Sequence, residues 1–398
     1  MMLEGVRVLD LTNVLAGPFC AYQLALLGAE VIKVGAPGSG DLARQLGASP
    51  ELSAKLMGAS FLAQNANKKS VTINLKSQQG KEAFGRLVGT ADVLVENFRP
   101  GVMSRLGVGY EDLKEANPRL IFCAISGFGQ EGPMRGAPAY DQIVQGLSGV
   151  MSITGRSDSA PLRVGYPVCD SIGGITAAFA IASALVRQRG TGEGCFIDVS
   201  MLDSTLATMG WVVSNYLIAG QEPVPMGNDN FTAAPSGAFR TGDGLLNIAA
   251  NKQDQFVALM KLIGREDLIE DERFAHREER KRNRTELTFA IEAGLASRSA
   301  ADWESLLNSV GVPAGRVLSV PEALALDQVR ERELIEELSG FDVLGRPLHL
   351  ITAGYRLSTG ERRLHSPPPE LGEHTDEILG TVGYSAADVA ALREASAV

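Results

Sequence analysis

The segment YPVCDSIGG (166–174) sets one carboxylate, Asp170, directly before a run of small and apolar residues. A carboxylate in that setting has two uses. By position alone it is an N-cap, since aspartate is among the residues favoured at the start of a helix. It can also attack an activated carbonyl as a nucleophile. A helix N-terminus then favours its ionised form and directs N–H groups at the charge developing on the carbonyl oxygen. Gly173 and Gly174 lean toward the second use, because they are poor residues for a first helical turn and leave room for a ligand to approach the backbone. The N–H groups of Ser171 to Gly174 would then serve as oxyanion donors.

The other chemistry-bearing residue types narrow the choice. The four histidines, His276, His349, His365 and His374, all lie in the last third of the chain, and none has metal-ligand spacing with another. Chemistry carried by carboxylates is therefore favoured over chemistry carried by histidine. Cys20, Cys123, Cys169 and Cys195 stand far apart with no C-x-x-C pair, which points to neither a zinc site nor a disulfide framework and suits a reducing cytoplasm. There is no G-x-G-x-x-G after the first strand, no G-x-x-x-x-G-K-[ST] and no G-x-S-x-G. Neither a metal nor a tightly bound cofactor is expected.

Basic and polar residues gather in two places. NANKKSVTINLK (65–76) carries Lys68, Lys69 and Lys76, and VENFRPGVMSRLG (95–107) carries Asn97, Arg99 and Arg105 with Phe98 among them. Together they suit a nucleotide with several phosphates and an adenine to cover.

These groups need a scaffold. Short apolar runs at Val6–Leu11, Ala29–Val34, Ser70–Leu75, Asp92–Asn97 and Leu120–Ser126 read as strands, with helical spacing between several of them. That rhythm predicts an open, mostly parallel sheet with helices on both faces and ligands at the strands' carboxyl ends. Tyr140–Ile153 reads as a helix, a long helix opens at Asp170 and runs to about Arg187, and CFIDVSM (195–201) reads as a further strand. Composition shifts near Gly220: a turn-rich stretch, a hairpin around Gly242-Asp243-Gly244, then charged helices of mixed sign. We place a large domain at 1–221, a small domain at 222–330 and a C-terminal segment at 331–398. The 398 residues suit two domains, and a net charge of −10, from 37 basic and 47 acidic residues, argues against a nucleic-acid partner. The apolar stretch Ser171–Val186 is shorter than the roughly 20 residues of a membrane span and reads as a buried helix. The start, MMLEGVRVLDLT, lacks the pattern of a signal peptide, so no membrane association is expected.

On these motifs the chain resembles the class III CoA-transferases, the formyl-CoA, carnitine and bile-acid transferase type. The likeness runs in order through VRVLDLTNVLAGPFC, EVIKV, PGSGD, NANKKSVTINLK, VENFRPG, NPRLIFCAISGFGQEGP, GYPVCDSIGG and DVSMLD to PPPELGEHTDEIL. The resemblance implies an α/β protein: a Rossmann-like large domain built from both chain ends, a smaller α+β domain between, and an interlocked homodimer. It implies acyl-CoA and a carboxylic acid as substrates, with CoA passing through anhydride and aspartyl-CoA thioester intermediates on Asp170. CoA contacts fall on Leu15 and Ala16, on Ile73, Asn74, Leu75 and Lys76, on Asn97, Phe98 and Arg99, on Arg105, and on Ala137, Pro138, Ala139 and Tyr140. Asp141 falls on a substrate-side acid.

Several positions depart from formyl-CoA transferase. A glutamine there is Leu15 here, a Glu-Arg pair that serves a phosphate is Gly35-Ala36, a lysine is Pro138, and IAANKQDQF (248–256) stands in the region of a glycine-rich loop. Oxalate and formyl-CoA are therefore not the expected pair. Arg163 and Tyr166 favour carboxylate-bearing acyl groups, with short dicarboxylates and a succinyl-CoA donor as the working choice. Two rival readings share the CoA site. An α-methylacyl-CoA racemase would need a Gly-His-Asp segment where this chain has Ala139-Tyr140-Asp141, and an ordinary tyrosine is a weak base in place of that histidine. A non-catalytic CoA-binding protein would not need Asp170.

Overall fold

The computed structural model describes residues 1–343, 345–359 and 363–398. The chain divides into two compact units: Met1–Val150, Arg163–Gln221 and Glu331–Val398 form one, Met151–Leu162 and Glu222–Arg330 the other.

The first unit is built on a sheet of six parallel strands: β1 (Arg7–Asp10), β2 (Glu30–Gly35), β3 (Lys68–Thr72), β4 (Val93–Glu96), β5 (Ile121–Ser126) and β6 (Cys195–Ser200). Their order across the sheet is β3-β2-β1-β4-β5-β6. The strands carry apolar residues on both sides because both faces are covered. Leu9, Ile32 and Leu94 cluster with Phe84 and Leu87 on one face, and Val8, Val31 and Val93 cluster with Ala21 and Leu24 on the other. The helices that matter for the site are α1 (Ala16–Leu26), α2 (Gln78–Val88), α3 (Asp141–Leu147), α4 (Val168–Thr191), α5 (Met201–Thr208) and α6 (Gly210–Ala219). The chain end returns to this unit: Ile378, Leu379, Val389 and Leu392 fill the α2 face, and the Asn74 N–H donates to the Ala397 carbonyl at 2.8 Å.

Three sequence expectations change. The third strand lies two residues earlier than Ser70–Leu75, because Asn74 to Ser77 form the turn that caps α2. Tyr140–Ile153 is the short α3 followed by a 3₁₀ turn at Val150–Ile153, and not one helix. The long helix starts at Val168, not Asp170, and it is half-covered rather than buried: Phe179 and Val186 are each 75% exposed. Its length and composition would suit a membrane span, yet its other face packs on α1, β5 and β6.

The second unit holds an antiparallel sheet of three strands, β7 (Ser236–Arg240), β8 (Leu245–Ala249) and β9 (Ala314–Arg316), with the hairpin turn between β7 and β8 at Thr241 to Gly244. Phe239, Leu246, Phe256, Ile291 and Trp303 form its core. The excursion Met151–Leu162 joins this unit through a 2.7 Å bond from the Gly227 N–H to the Gly155 carbonyl, an arrangement with no signal in local composition.

At the centre of the first sheet lies a buried ionic cluster. Asp10, the last residue of β1, accepts from Lys68 Nζ at 2.9 Å and lies 3.5 Å from Lys33 Nζ. Lys33 Nζ also donates to the Thr12 carbonyl at 2.6 Å and sits 3.0 Å from Asp41 Oδ2. Lys68 Nζ donates to the Pro18 carbonyl at 3.0 Å and to Asn65 at 2.9 Å. All four charged residues are almost wholly out of water. Burial alone would raise the Asp10 pKa, but the two ammonium groups hold it down at about 2. Removing one partner leaves the others uncompensated, so Lys68→Met should cost about 3–5 kcal/mol in urea-monitored unfolding. A loss below 1 kcal/mol would show the cluster to be dispensable.

Candidate active site

In an open parallel sheet the natural crevice lies where strand order reverses, outside the carboxyl ends. Here that point is between β1 and β4. A cavity of about 330 Å³ opens there, lined by Asn13 to Ala16 after β1, Asn97 to Pro100 after β4, Ser126 to Phe128 after β5, the segment Ala137 to Tyr140, and Leu42, Arg135, Asp170 and Met201.

The loop after β1 is held under strain. Val14, a β-branched residue, has a left-handed backbone with φ of 66°. Its N–H donates to Asp41 Oδ1 at 2.9 Å, and Asn97 clamps the neighbouring Asn13 by accepting from its N–H and donating to its carbonyl, both at 2.8 Å. Among the described residues no side chain caps the start of α1, so its first N–H groups remain available beside Leu15 and Ala16.

Asp170 is the third residue of α4 and not its cap. The capping carboxylate is Asp141, the first residue of α3. Its Oδ1 accepts the N–H of Cys169 at 2.8 Å and of Asp170 at 3.4 Å, the two groups a local cap would take. Its Oδ2 accepts from Gln145 Nε2 at 2.6 Å, and Gln145 in turn accepts the Val164 N–H at 2.9 Å. Asp141 is thus buried and fully occupied, which corrects its expected place on the substrate side. With the cap supplied from α3, the Asp170 side chain is left to line the cavity. Burial, and then the nearby Asp141 carboxylate, push its pKa up to about 7.

The two glycines after Asp170 have a different reason from the one expected. A Cβ on Gly174 would lie 2.5 Å from the Ala16 carbonyl oxygen, and one on Gly173 would lie 2.9 Å from Met201 Cγ. They do not leave space for a ligand. They let α4 pack tightly against the first turn of α1 and so bring Asp170 to the cavity wall. The Ser171 N–H is also committed, to the Pro167 carbonyl at 3.0 Å, and residues 172–174 are inside the helical ladder. The oxyanion donors expected at 171–174 are therefore engaged, and the start of α1 is the available source.

Of the other expected residues, Leu15, Ala16, Asn97, Phe98, Arg99, Ala137, Pro138, Ala139 and Tyr140 meet at the cavity. Ile73, Asn74, Leu75 and Lys76 do not: Ile73 is in the core, the Asn74 amide donates to the Ser396 carbonyl, and Lys76 is exposed elsewhere on the surface. Arg105 does not line the cavity; its guanidinium lies about 3.1 Å from where a Cβ on Gly101, the residue after the lining Pro100, would be. Lys68 and Lys69 cannot meet phosphates as expected, since Lys68 is spent on Asp10 and Lys69 pairs with Glu30 and Glu377. Ser126, Gly127 and Phe128 went unremarked in the sequence although they follow a legible strand. Gly127 has a clear role: its Cβ would fall 2.2 Å from that of Ala139, so only glycine lets the 137–140 segment close over the loop. Arg135 is a second cavity cation that nothing local in the sequence singles out.

This crevice, with a carboxyl group in the first turn of a helix and no histidine in its described lining, suits acyl transfer carried by a carboxylate. The family model for CoA-transferase family III matches residues 3–375, and the chain belongs to that family. The chain is 38% identical over 380 residues to mouse succinyl-CoA:glutarate CoA-transferase, covering 96% of this chain and 86% of that one. It is 40% identical over 353 residues to the acetyl-CoA:oxalate CoA-transferase of Acetobacter aceti, covering 88% and 89%. The crystal structure of a CAIB/BAIF family protein from Brucella suis matches with a TM-score of 0.83 at 35% identity, covering 96% of this chain and 99% of that one.

Because the atom nearest a Gly174 Cβ is the backbone carbonyl oxygen of Ala16, it cannot move aside as a side chain would. Gly174→Ala should destabilise the protein by about 1–3 kcal/mol through overpacking, read as a lower urea midpoint at unchanged slope. An unchanged midpoint would remove the packing account of this glycine.

Proposed function

We propose that this enzyme moves CoA from an acyl-CoA donor to a carboxylic acid through covalent intermediates on Asp170. The observation that carries this is a carboxyl group, raised to about 7 by burial, at the wall of a crevice that also holds the Asn97-Phe98-Arg99 turn and the uncapped start of α1. The ionised Asp170 attacks the donor's thioester carbonyl, the C–S bond breaks, and CoA leaves as thiolate from a mixed anhydride. The thiolate then attacks the aspartyl carbonyl, expelling the donor acid as carboxylate and leaving an aspartyl-CoA thioester. The acceptor carboxylate attacks that thioester, and the released thiolate takes the acceptor's acyl group, restoring Asp170. Overall one CoA thioester is exchanged for another, so neither ATP nor a metal enters the balance. The N–H groups at the start of α1 are the candidate donors to the oxyanions.

Arg99 and Arg135 give the cavity its cations, with Arg105 beyond the lining near Gly101, and Phe98 offers an apolar face. CoA contacts at Leu15, Ala16, Asn97 to Arg99 and Ala137 to Tyr140 fit this arrangement. The donor we favour is succinyl-CoA and the acceptor a short dicarboxylate. The mouse relative, named for succinyl-CoA and glutarate, supports that choice. Oxalate and acetyl-CoA belong in the same assay because a second relative is named for them.

Incubation with succinyl-CoA followed by borohydride or hydroxylamine and peptide mass spectrometry should label Asp170 and no other residue. Label elsewhere would sink the mechanism. Because the nucleophile must be ionised, kcat should fall as pH drops through about 7. The same raised pKa means the folded protein binds this proton more tightly than the unfolded chain, so ionising Asp170 lowers stability as pH rises toward 7. Asp170→Asn should therefore raise Tm at pH above about 7 while abolishing turnover.

We further propose a homodimer. Helix α6 buries none of its residues within one chain, and Trp211, Leu217 and Ile218 are 76%, 74% and 86% exposed. An apolar face of that size calls for a partner, and a second copy is the one the resemblance implies. Light scattering should give twice 42.2 kDa, and a Trp211→Glu, Ile218→Glu variant should not. A wild-type monomer would reject the dimer.

A further inference from the structure

Beneath the Asn97–Arg99 turn lies a second pocket of about 250 Å³, reached by Glu96, Gly101, Tyr110, Gln130 and Phe196. Rings of Tyr110, Phe122 and Phe196 stack along it with centroids 5.4–6.0 Å apart. Glu96, the last residue of β4, is only 5% exposed, yet Val93, Leu94 and Val95 before it are all apolar and buried. An acid there is costly unless it serves something. Its Oε2 accepts the Phe98 N–H at 2.7 Å, spanning Asn97, whose side chain holds the strained loop after β1. One bond therefore sets the turn that presents Phe98 and Arg99 to the cavity.

We infer that Glu96 is a positioning residue for the CoA moiety: it fixes the Asn97–Arg99 turn through Phe98, and its charge state grades how well the cavity accepts a polyanion. This rests on reading the cavity as the acyl-CoA site. The titratable groups facing Glu96 are Asp198 of β6, Cys123 of β5, and Tyr110 and Glu111 of the short helix Tyr110–Leu113, with Lys114 already paired to Glu111. No cation among them neutralises it. Burial first, then Asp198, raise its pKa to about 8 against the pull of the Phe98 N–H. Near neutrality Glu96 is thus mostly protonated, keeps its bond to Phe98 through an uncharged oxygen and sets no charge against phosphates. As pH rises through about 8 it ionises, and a negative charge appears at the base of the turn that carries Arg99. Linkage then requires bound CoA to favour the protonated form.

Calorimetric titration of coenzyme A into wild type, Glu96→Gln, Glu96→Ala and Arg99→Ala tests this. Glutamine can still accept the Phe98 N–H but cannot ionise. Wild type should lose affinity several-fold between about pH 7 and 9, whereas Glu96→Gln should bind as wild type at pH 7 and lose distinctly less, keeping only the decline that Asp170 causes as it ionises. Glu96→Ala, with the turn untied, should bind about tenfold more weakly at pH 7. A Glu96→Gln protein that follows the wild-type decline overturns the inference, and so does a Glu96→Ala protein of unchanged affinity. If Glu96→Ala does not fold, the glutamine arm decides. Arg99→Ala separates the two readings: unchanged CoA affinity there rejects the cavity as the CoA site, whereas weakened binding with an indifferent Glu96 rejects only the positioning role.

Discussion

Asp10 is held between two buried lysines at the point where the strand order reverses. Lys33 comes from β2 and Lys68 from β3, so the cluster ties three neighbouring strands together, from the last residue of β1 to the first of β3. The same ammonium groups reach out to the Thr12 and Pro18 carbonyls, which bracket the loop carrying Val14 and Leu15. That loop has a left-handed valine in it, a conformation that persists only where its surroundings enforce it. A hydrophobic cluster of equal volume could be at least as stable, since buried ion pairs rarely exceed such replacements. It would lack directed bonds, and the first turn of α1 would lose its fixed position. The cost of burying four charges is thus tied to the placement of one cavity wall.

A second placement problem concerns α4. A helix that begins with its own capping aspartate turns that side chain back on its own N–H groups. In this chain the cap comes from Asp141 on α3, braced by Gln145, and Asp170 sits one turn into the helix with its carboxylate free of that duty. Two carboxylates close together each disfavour the other's ionisation, but Asp141 has three N–H donors and Asp170 lines an open cavity. Burial first, and then the charge of Asp141, raises the pKa of Asp170. Gly173 and Gly174 complete the arrangement by letting α4 lie against Ala16 and Met201.

The sheet was legible because its strands are short, apolar runs that a one-dimensional pattern reveals. The place of Asp170 at the cavity was legible because an aspartate before a double glycine breaks the rules of a good helix start. What could not be read were relations between distant residues. Lys68 looked like a phosphate ligand because its partner, Asp10, stands 58 positions away. Asp170 looked like a cap because the true cap is 29 positions earlier. The glycines looked like an opening for a ligand, when their neighbours, Ala16 and Met201, come from other elements. Residues 73–76 fell where the family pattern puts CoA contacts, yet in the folded chain that segment turns toward the C-terminal tail and α2 instead.

The elevated carboxyls have a common physical logic. A polyanionic substrate is bound most readily where resting negative charge is low, and both Asp170 and Glu96 are pushed toward their neutral forms by burial before any ligand arrives. For a nucleophile this also helps the proposed chemistry: a desolvated carboxylate is more basic, and hence more nucleophilic, than one in water. The gain has a ceiling, because raising the pKa further would leave too little of the ionised form at neutral pH. A value near 7 balances the two. Drying the crevice serves a further end, since the anhydride and aspartyl-CoA thioester of the proposed path are both open to hydrolysis, and a site that admitted water freely would turn a CoA-transferase into a thioesterase.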